Sequence, residues 1–282
     1  MARRKTTRSY RSKPKRSRRK PRGRGLFVLL AVTAFLAGAY AAGRLLGSLP
    51  FGSAASYAPD EPEAPRYLGT APFVVAVDAG HGGGDAGAVG IVEECRMTWA
   101  TAHALLALLE ADPNFIPVAT RSSIDQAADP AGRADAANAA GAQLFVSIHG
   151  NAADSPDPAG FECYPVPPNR VRHSQSLAFG RMVADEFAAA DHTLRGAAGI
   201  RYAYYRGQTK LLTDPSGTLY DALPSFGVLE HTHCPALLAE QCFVTSEADV
   251  AAFGSGAGID AAARCYYNAI CAYFDCEPLP PQ

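Results

Sequence analysis

The chain has 282 residues, 48% of them hydrophobic, and a formal net charge of −1. This length and hydrophobic content exclude a disordered chain and allow one large domain or two small ones. The small net charge conceals an asymmetry, because 13 Lys and Arg fall within residues 1–24, whereas residues 45–282 carry 12 basic and 27 acidic side chains. The basic tail has one aromatic residue and no hydrophobic periodicity, so we expect no nucleic acid as a partner.

The first 72 residues predict a membrane attachment and a spacer. We interpret residues 1–24 as a basic cytoplasmic tail and 25–47 as a transmembrane signal-anchor, since Gly25–Gly43 has no charge and spans roughly 28 Å as a helix. The positive-inside rule then places the body outside the cytoplasm, on a single-pass anchor in the cell membrane. The alternative is a cleaved signal peptide and a secreted body, because Ala39-Tyr40-Ala41 fits a cleavage site. Residues 48–72 are rich in Pro, Ala and Ser and predict a flexible linker.

Residues 73–276 form the predicted catalytic body, and 277–282 a short tail. Wholly apolar runs predict strands, and apolar residues at helical spacing predict helices between them. The predicted strands lie near residues 73–77, 115–120, 143–149, 160–166 and 236–239, and the predicted helices near 97–111, 132–140, 174–190, 246–253 and 260–274. This alternation predicts a three-layer α/β/α fold with a central, twisted and mostly parallel sheet.

Seven cysteines all fall in the body. In an exported protein we expect some of them to form disulfides, and the odd number leaves at least one thiol free. The sequence does not indicate which cysteines pair.

Three predicted strands lead into ionisable side chains, namely His81, His149 and Glu240. The carboxyl ends of parallel strands meet at one edge of a sheet, so these side chains can converge. Glu94 opens the first helix and adds a carboxylate. Two imidazoles and a carboxylate are a common catalytic zinc shell, and a further carboxylate can serve as the general base. Each histidine alone has an ordinary structural interpretation; their convergence is what favours Zn²⁺.

The pattern resembles the zinc-dependent N-acetylmuramoyl-L-alanine amidases of peptidoglycan. The resemblance covers about 200 residues, essentially the whole body. Its motifs occur in family order: VDAGHGGGDAGAVG at residues 77–90, Glu94, Thr120-Arg121, Arg133 with Asn138, LFVSIHGNA at 144–152, GFECY at 160–164, SLA at 176–178 and VLEHTHCPALLAEQCFVTSEAD at 228–249.

The resemblance implies zinc ligands at His81, Glu94 and His149 and a catalytic glutamate at Glu240. Glu93 is the alternative to Glu94, and the spacing to Trp99 favours Glu94. A supporting role for Arg121 at the oxyanion is a further expectation.

Several positions have two interpretations. The family usually has Asn where this chain has Thr98. Residues 201–224 look like an insertion that either lines a glycan groove or forms an ordinary surface loop. His231 and His233 form an HxH pair, for which we favour an ordinary polar role, and Asp78 either orients a ligand histidine or caps the turn.

We therefore expect an extracytoplasmic hydrolase that cleaves the amide between N-acetylmuramic acid and L-alanine, with peptidoglycan as substrate. The alternatives are another cell-wall zinc hydrolase, such as a carboxypeptidase or deacetylase, and a non-catalytic wall-binding domain with a relic site. The sequence identifies no activator protein.

Overall fold

The computed structural model describes residues 69–281. The basic tail, the predicted membrane segment at 25–47 and most of the predicted linker lie outside the described residues. Within residues 69–281, no helix combines the length and the apolarity needed to cross a bilayer.

Strands and helices alternate along the described part of the chain. The strands are β1 Phe73–Ala79, β2 Phe115–Ala119, β3 Leu144–Asn151, β4 Glu162–Pro165, β5 Tyr202–Arg206, β6 Thr209–Thr213 and β7 Ala236–Phe243. The helices are α1 Glu94–Ala111, α2 Pro130–Ala139, α3 His173–Ala189, α4 Gly227–His231, α5 Glu247–Asp249, a π-helical turn Val250–Gly254 and α6 Ala257–Tyr273.

Five strands form the central sheet, in the order β2-β1-β3-β7-β4. The first four are parallel, and β4 pairs antiparallel with β7. The three-layer α/β/α prediction is therefore confirmed. Because β1, β3 and β7 are neighbours, their carboxyl ends lie side by side at one edge of the sheet, where open α/β sheets place their ligands.

Both faces of the sheet are covered, which explains why its inner strands are almost wholly apolar. Side chains alternate between the faces: Val75 and Val77 pack into the larger core, and Ala76 into the smaller one. Helices α1, α3 and α6 contribute to the larger core. Helices α2 and α4 cover the opposite face and contact each other.

Residues 201–224 show little periodicity in sequence, yet they contain a hairpin. β5 and β6 pair antiparallel as a separate two-stranded sheet, joined by Gly207 and Gln208, and Gly207 has a φ of 61°. Most of β6 is exposed while Tyr202–Tyr204 in β5 is buried. A hairpin buried on one strand only gives no regular alternation, so its pattern is weak in the sequence.

All seven cysteines are free thiols in the structure. The expectation of disulfide bonds is therefore wrong for this fold. Six of the thiols are buried, and only Cys276 is partly exposed. The six buried thiols act as small apolar side chains in the core, and burial raises the pKa of one of them, Cys234, to about 12.

Candidate metal centre and active site

The carboxyl ends of three neighbouring strands supply three of the predicted side chains. His81 follows β1, His149 lies near the end of β3, and Glu240 lies in β7 directly beside His149 in the strand register. Residues side by side in a parallel pair project to the same face of the sheet. Glu94, the first residue of α1, reaches the same point from the helix.

His81, Glu94 and His149 form a compact cluster. Glu94 Oε1 lies 3.0 Å from His81 Nε2 and 3.0 Å from His149 Nδ1. One ligand atom from each residue falls within 4.8 Å of the others. Glu94 is buried, and its carboxylate also accepts the N–H groups of Gly150 at 2.9 Å and Ala88 at 2.8 Å. The backbone thus holds this carboxylate in one orientation.

The neighbouring acid takes no part in the cluster. Glu93 is partly exposed and accepts a hydrogen bond from Nε of Arg96 at 2.6 Å. The structure therefore brings Glu94, and not Glu93, to the two histidines, in line with the spacing argument.

Asp85 orients His81, a role that sequence reasoning missed. Asp85 Oδ2 lies 2.8 Å from His81 Nδ1, and Oδ1 accepts the N–H of Gly87 at 2.9 Å. His81 itself has a φ of 61°, a left-handed conformation that is uncommon for non-glycine residues and is often found at functional sites. The acid four residues after the histidine, within a run of glycines, was the available signal.

Within the cluster, the imidazole and carboxylate groups each stabilise the charged form of the other. Burial disfavours the imidazolium of His81, but hydrogen bonds and charges from Glu94 and Asp85 outweigh it and raise its pKa to about 9. Burial likewise opposes ionisation of Glu94, yet its bonds to His149 and His81 lower the pKa of this carboxyl far below the ordinary value. Glu94 is therefore ionised at neutral pH, and its negative charge attracts both histidines.

Two glycines make room for this packing. A Cβ on Gly80 would lie 2.5 Å from Cε1 of His149, and one on Gly87 would lie 2.5 Å from Glu94 Oε2. Gly87 also has a φ of 66°, which favours glycine. The glycine-rich turn therefore serves close approach of the ligand side chains to the backbone.

Glu240 differs from Glu94 in having little to stabilise its charge. It is buried, and its Oε2 accepts no hydrogen bond from any described residue. Burial raises the pKa of this carboxyl to about 7, against a partly compensating attraction from His149. A carboxyl group with a pKa near neutrality, beside the cluster, is suited to accept and return a proton.

Asp78 contacts neither ligand histidine in the structure. Its carboxylate accepts hydrogen bonds from Thr120 Oγ1, from Ser147 Oγ at 2.7 Å and from Arg133 Nη1 at 2.9 Å. Asp78 therefore joins β1, β3 and α2 below the site, and the expected bond to a histidine does not form.

Arg121 lies away from the cleft. Its guanidinium donates to the carbonyl oxygens of Ala79, Ser123 and Ile124 and stacks 5.2 Å over the ring of Trp99. Those contacts hold the loop after β2 against the end of β1. The structure does not bring Arg121 to the other predicted site residues, so the oxyanion role is not supported by its position.

A cleft of about 420 Å³ opens over the cluster. It is lined by side chains from the sheet edge, from α4 and from the hairpin, including His81, Asp85, Glu94, Arg133, His149, Asn151, Lys210, Phe226, Val228 and Glu240. His231 and His233 lie outside this lining; their backbone groups bond to Asn138, which fits the ordinary polar role.

The donor set fits a divalent metal. Two imidazole nitrogens and one carboxylate oxygen, close together and facing a cleft, are the ligands that Zn²⁺ takes in catalytic sites with an open position. The orientation of His81 by Asp85 is the outer contact that such ligands usually have.

Comparison with known proteins identifies the family. The model for N-acetylmuramoyl-L-alanine amidase matches residues 75–272. This chain belongs to the N-acetylmuramoyl-L-alanine amidase family. The match covers all of the residues that form the cluster and the cleft.

Amidases of known sequence and structure agree with this assignment. N-acetylmuramoyl-L-alanine amidase CwlM of Bacillus licheniformis is 28% identical over 202 residues, 71% of this chain and 68% of the relative. The probable amidase AmiB of Haemophilus influenzae is 40% identical over 94 residues, which are 32% of this chain and only 21% of that protein. The catalytic domain of CwlV from Paenibacillus polymyxa superposes with a TM-score of 0.58 at 29% identity, covering 73% of this chain and 99% of that domain.

Thr98, where the resemblance leads us to expect Asn, supports the turn before His81. Thr98 is buried, and its Oγ1 donates to the carbonyl oxygen of Gly80 at 2.8 Å. The residue after that carbonyl is His81. The hydroxyl thus anchors the turn that carries the first histidine to helix α1.

Proposed function

We propose that this amidase hydrolyses the bond between the lactyl group of N-acetylmuramic acid and L-alanine in peptidoglycan, with zinc held by His81, Glu94 and His149. The observation that carries the proposal is the His-Glu-His cluster with Glu240 beside it in the strand register, facing one cleft. Family membership supports the choice of bond. The ligand set supports zinc.

A zinc ion bound by these side chains would supply Lewis acidity, polarising the scissile carbonyl and lowering the pKa of an attacking water. Glu240 accepts one proton from that water as its oxygen bonds to the carbonyl carbon. The carbon–nitrogen bond then breaks, and Glu240 returns the proton to the nitrogen of L-alanine. The products are a muramic acid carboxylate and a peptide with a free amino terminus.

The basic tail and the uncharged segment after it support work outside the cytoplasm. We propose a body held at the cell membrane by residues 25–47, or secreted after their cleavage, with the polybasic residues attracted to anionic lipid. Peptidoglycan lies in the same compartment, which makes the location consistent with the proposed substrate.

Digestion of purified peptidoglycan by the zinc-loaded full chain tests the reaction. Mass spectrometry of the soluble products should show intact stem peptides that begin with a free L-alanine amine. Cleavage within the stem would indicate a carboxypeptidase, and loss of acetyl groups would indicate a deacetylase; either result would overturn the proposal.

The matched control for the digest is Glu240→Gln, which keeps the side-chain volume and removes the base. We expect its rate to fall by about 10²–10⁴-fold while zinc content stays at one equivalent. An unchanged rate in this variant would favour a mechanism without Glu240, and absence of bound zinc in the native chain would favour a relic site.

A further inference from the structure

The β5–β6 hairpin adds one cation to the cleft. Lys210 in β6 lines the same cleft as Glu94 and Glu240. Its side chain is exposed to solvent. Its charge acts on Glu240, which places it within electrostatic reach of the proposed base.

Aromatic contacts hold this part of the hairpin at the cleft. Lys210 lies directly opposite Tyr205 in the strand register, so both side chains project to one face. Lys210 Nζ lies 5.8 Å from the ring centre of Phe226, and the Tyr205 ring packs edge-on against Phe226 at 5.6 Å. The N–H of Tyr205 donates to Pro224 at 2.7 Å, which ties the hairpin to the segment entering α4.

Among the described residues that line the cleft, Arg133 is the only other lysine or arginine, and its guanidinium is already engaged. Arg133 donates to Asp78 Oδ1 at 2.9 Å, to His81 O at 2.7 Å and to Ala128 O at 3.0 Å. Within the described part of the chain, the Lys210 side chain makes no hydrogen bond or ion pair, and its Nζ lies over the ring of Phe226. A negatively charged substrate group entering the cleft would therefore find its partner in Lys210.

The proposed substrate has such a group close to the scissile bond. In peptidoglycan stems the residue after L-alanine is a glutamate joined through its side-chain carboxyl, so its α-carboxyl is either free or amidated. That group lies about 6 Å from the scissile nitrogen in an extended peptide. Resting on the proposed function, we propose that Lys210 binds this α-carboxylate and makes the enzyme select stems that carry it over amidated stems.

Two muramoyl peptides that differ only at this group test the assignment. One carries the free α-carboxylate at the second residue and the other the α-amide. For the full chain with zinc, we expect kcat/KM to be about fivefold higher for the carboxylate, the size of one partly exposed ion pair. The preference should weaken in high salt, because exposed charges are screened.

The variants separate this role from a general effect on the fold. Lys210→Gln should abolish the preference, so that the two peptides have kcat/KM values in a ratio of about 1. The change should come mainly through KM. Lys210→Glu should reverse the preference. Arg206→Gln is the matched control, because Arg206 lies on the same hairpin, contacts Tyr220 at 6.0 Å and does not line the cleft; it should keep the full preference.

An unchanged preference in Lys210→Gln, or its loss in Arg206→Gln as well, would overturn the assignment. Equal cleavage of both peptides by the native chain would also overturn the assignment of Lys210. The proposed reaction would not be affected by that result. Failure to cleave either peptide at the muramoyl–alanine bond would instead remove the proposed function and this inference together.

Discussion

His81 has to release a proton before it can bind a metal through Nε2. Glu94 and Asp85 overcome the effect of burial and keep the pKa of His81 near 9, so its imidazole is charged in the metal-free protein at neutral pH. We expect zinc binding at pH 7.5 to release close to one proton from His81, and the apparent affinity to rise with pH up to about 9. Calorimetry in buffers of different ionisation enthalpy measures this release.

The control for this measurement is Asp85→Asn. It removes one of the two charges that raise the pKa of His81, so less proton release is expected at the same pH. Equal release from the two proteins would show that Asp85 has no influence on the protonation of His81.

A substitution at Gly80 tests how closely the ring of His149 packs against the backbone. In Gly80→Ala the new methyl group would lie 2.5 Å from Cε1 of His149, so the ring has to move. We expect zinc affinity to fall by about 10–100-fold, as for other changes that disturb ligand orientation. Gly132→Ala, in helix α2, meets only Asp129 Oδ1 at 3.1 Å and should bind zinc normally. Competition with a chelating dye distinguishes the outcomes.

Glu240 makes stability depend on pH in the metal-free protein. Its carboxyl group keeps a proton up to about pH 7 in the native state but loses it near the ordinary value of 4.5 when unfolded. The native state therefore binds more protons between these values and loses stability as pH rises through them. Glu240→Gln removes the buried charge and should raise the free energy of unfolding at pH 8 by on the order of 2–3 kcal/mol.

Urea unfolding at pH 4 and pH 8 measures this effect. At pH 4 the carboxyl is protonated in both states, so the variant and the native protein should be close in stability. A difference of the same size at both pH values would assign the effect to packing and not to ionisation.

At the residue scale, the sequence was most informative where strand ends and motif order coincided, as for His81, His149 and Glu240. It could not place Arg121, because the position of a long side chain depends on which backbone carbonyls the loop presents. It also gave no indication of the role of Asp85, because acidic residues are common in glycine-rich turns. Only the folded backbone brings the Asp85 carboxylate next to His81.

At the scale of elements, Asp249 in α5 ties two strands together. Its Oδ2 accepts the N–H groups of Phe243, at the end of β7, and Gly160, just before β4, at 2.8 and 2.9 Å. Asp249→Ala leaves two buried donors without a partner, so we expect a loss of about 2–4 kcal/mol in the free energy of unfolding. Asp249→Asn keeps an acceptor and should lose distinctly less. Equal losses in urea unfolding would argue against this account.

The alternation of strands and helices could be predicted from the sequence, because in the central sheet and its helices the spacing of apolar residues matches the positions that are buried. The β5–β6 hairpin could not be predicted, because β6 is mostly exposed and β5 buries consecutive residues, so neither strand alternates regularly between apolar and polar side chains. Helix α4 has only five residues, too few for a helical period to stand out from a short apolar run.

At the scale of the whole molecule, the cysteines show how composition can mislead. An exported chain with seven cysteines predicts disulfides, yet the fold buries six of the thiols in its core. We expect the denatured chain to contain seven reactive thiols without any reductant, and the native protein to expose about one, at Cys276. Titration with a thiol reagent before and after denaturation checks both numbers. A count of five or fewer in the denatured, unreduced chain would show that a disulfide forms.

The position of β7 inside the sheet has a consequence for synthesis. The three residues proposed to bind metal all lie before residue 150, but β7, which carries Glu240, is inserted between β3 and β4 and is buried along all eight residues. A growing chain that already holds the three ligands still lacks an interior strand, so it cannot complete the sheet. The strand that completes the sheet therefore also carries the proposed base. A chain that ends before β7 therefore lacks both an interior strand of the sheet and the proposed base.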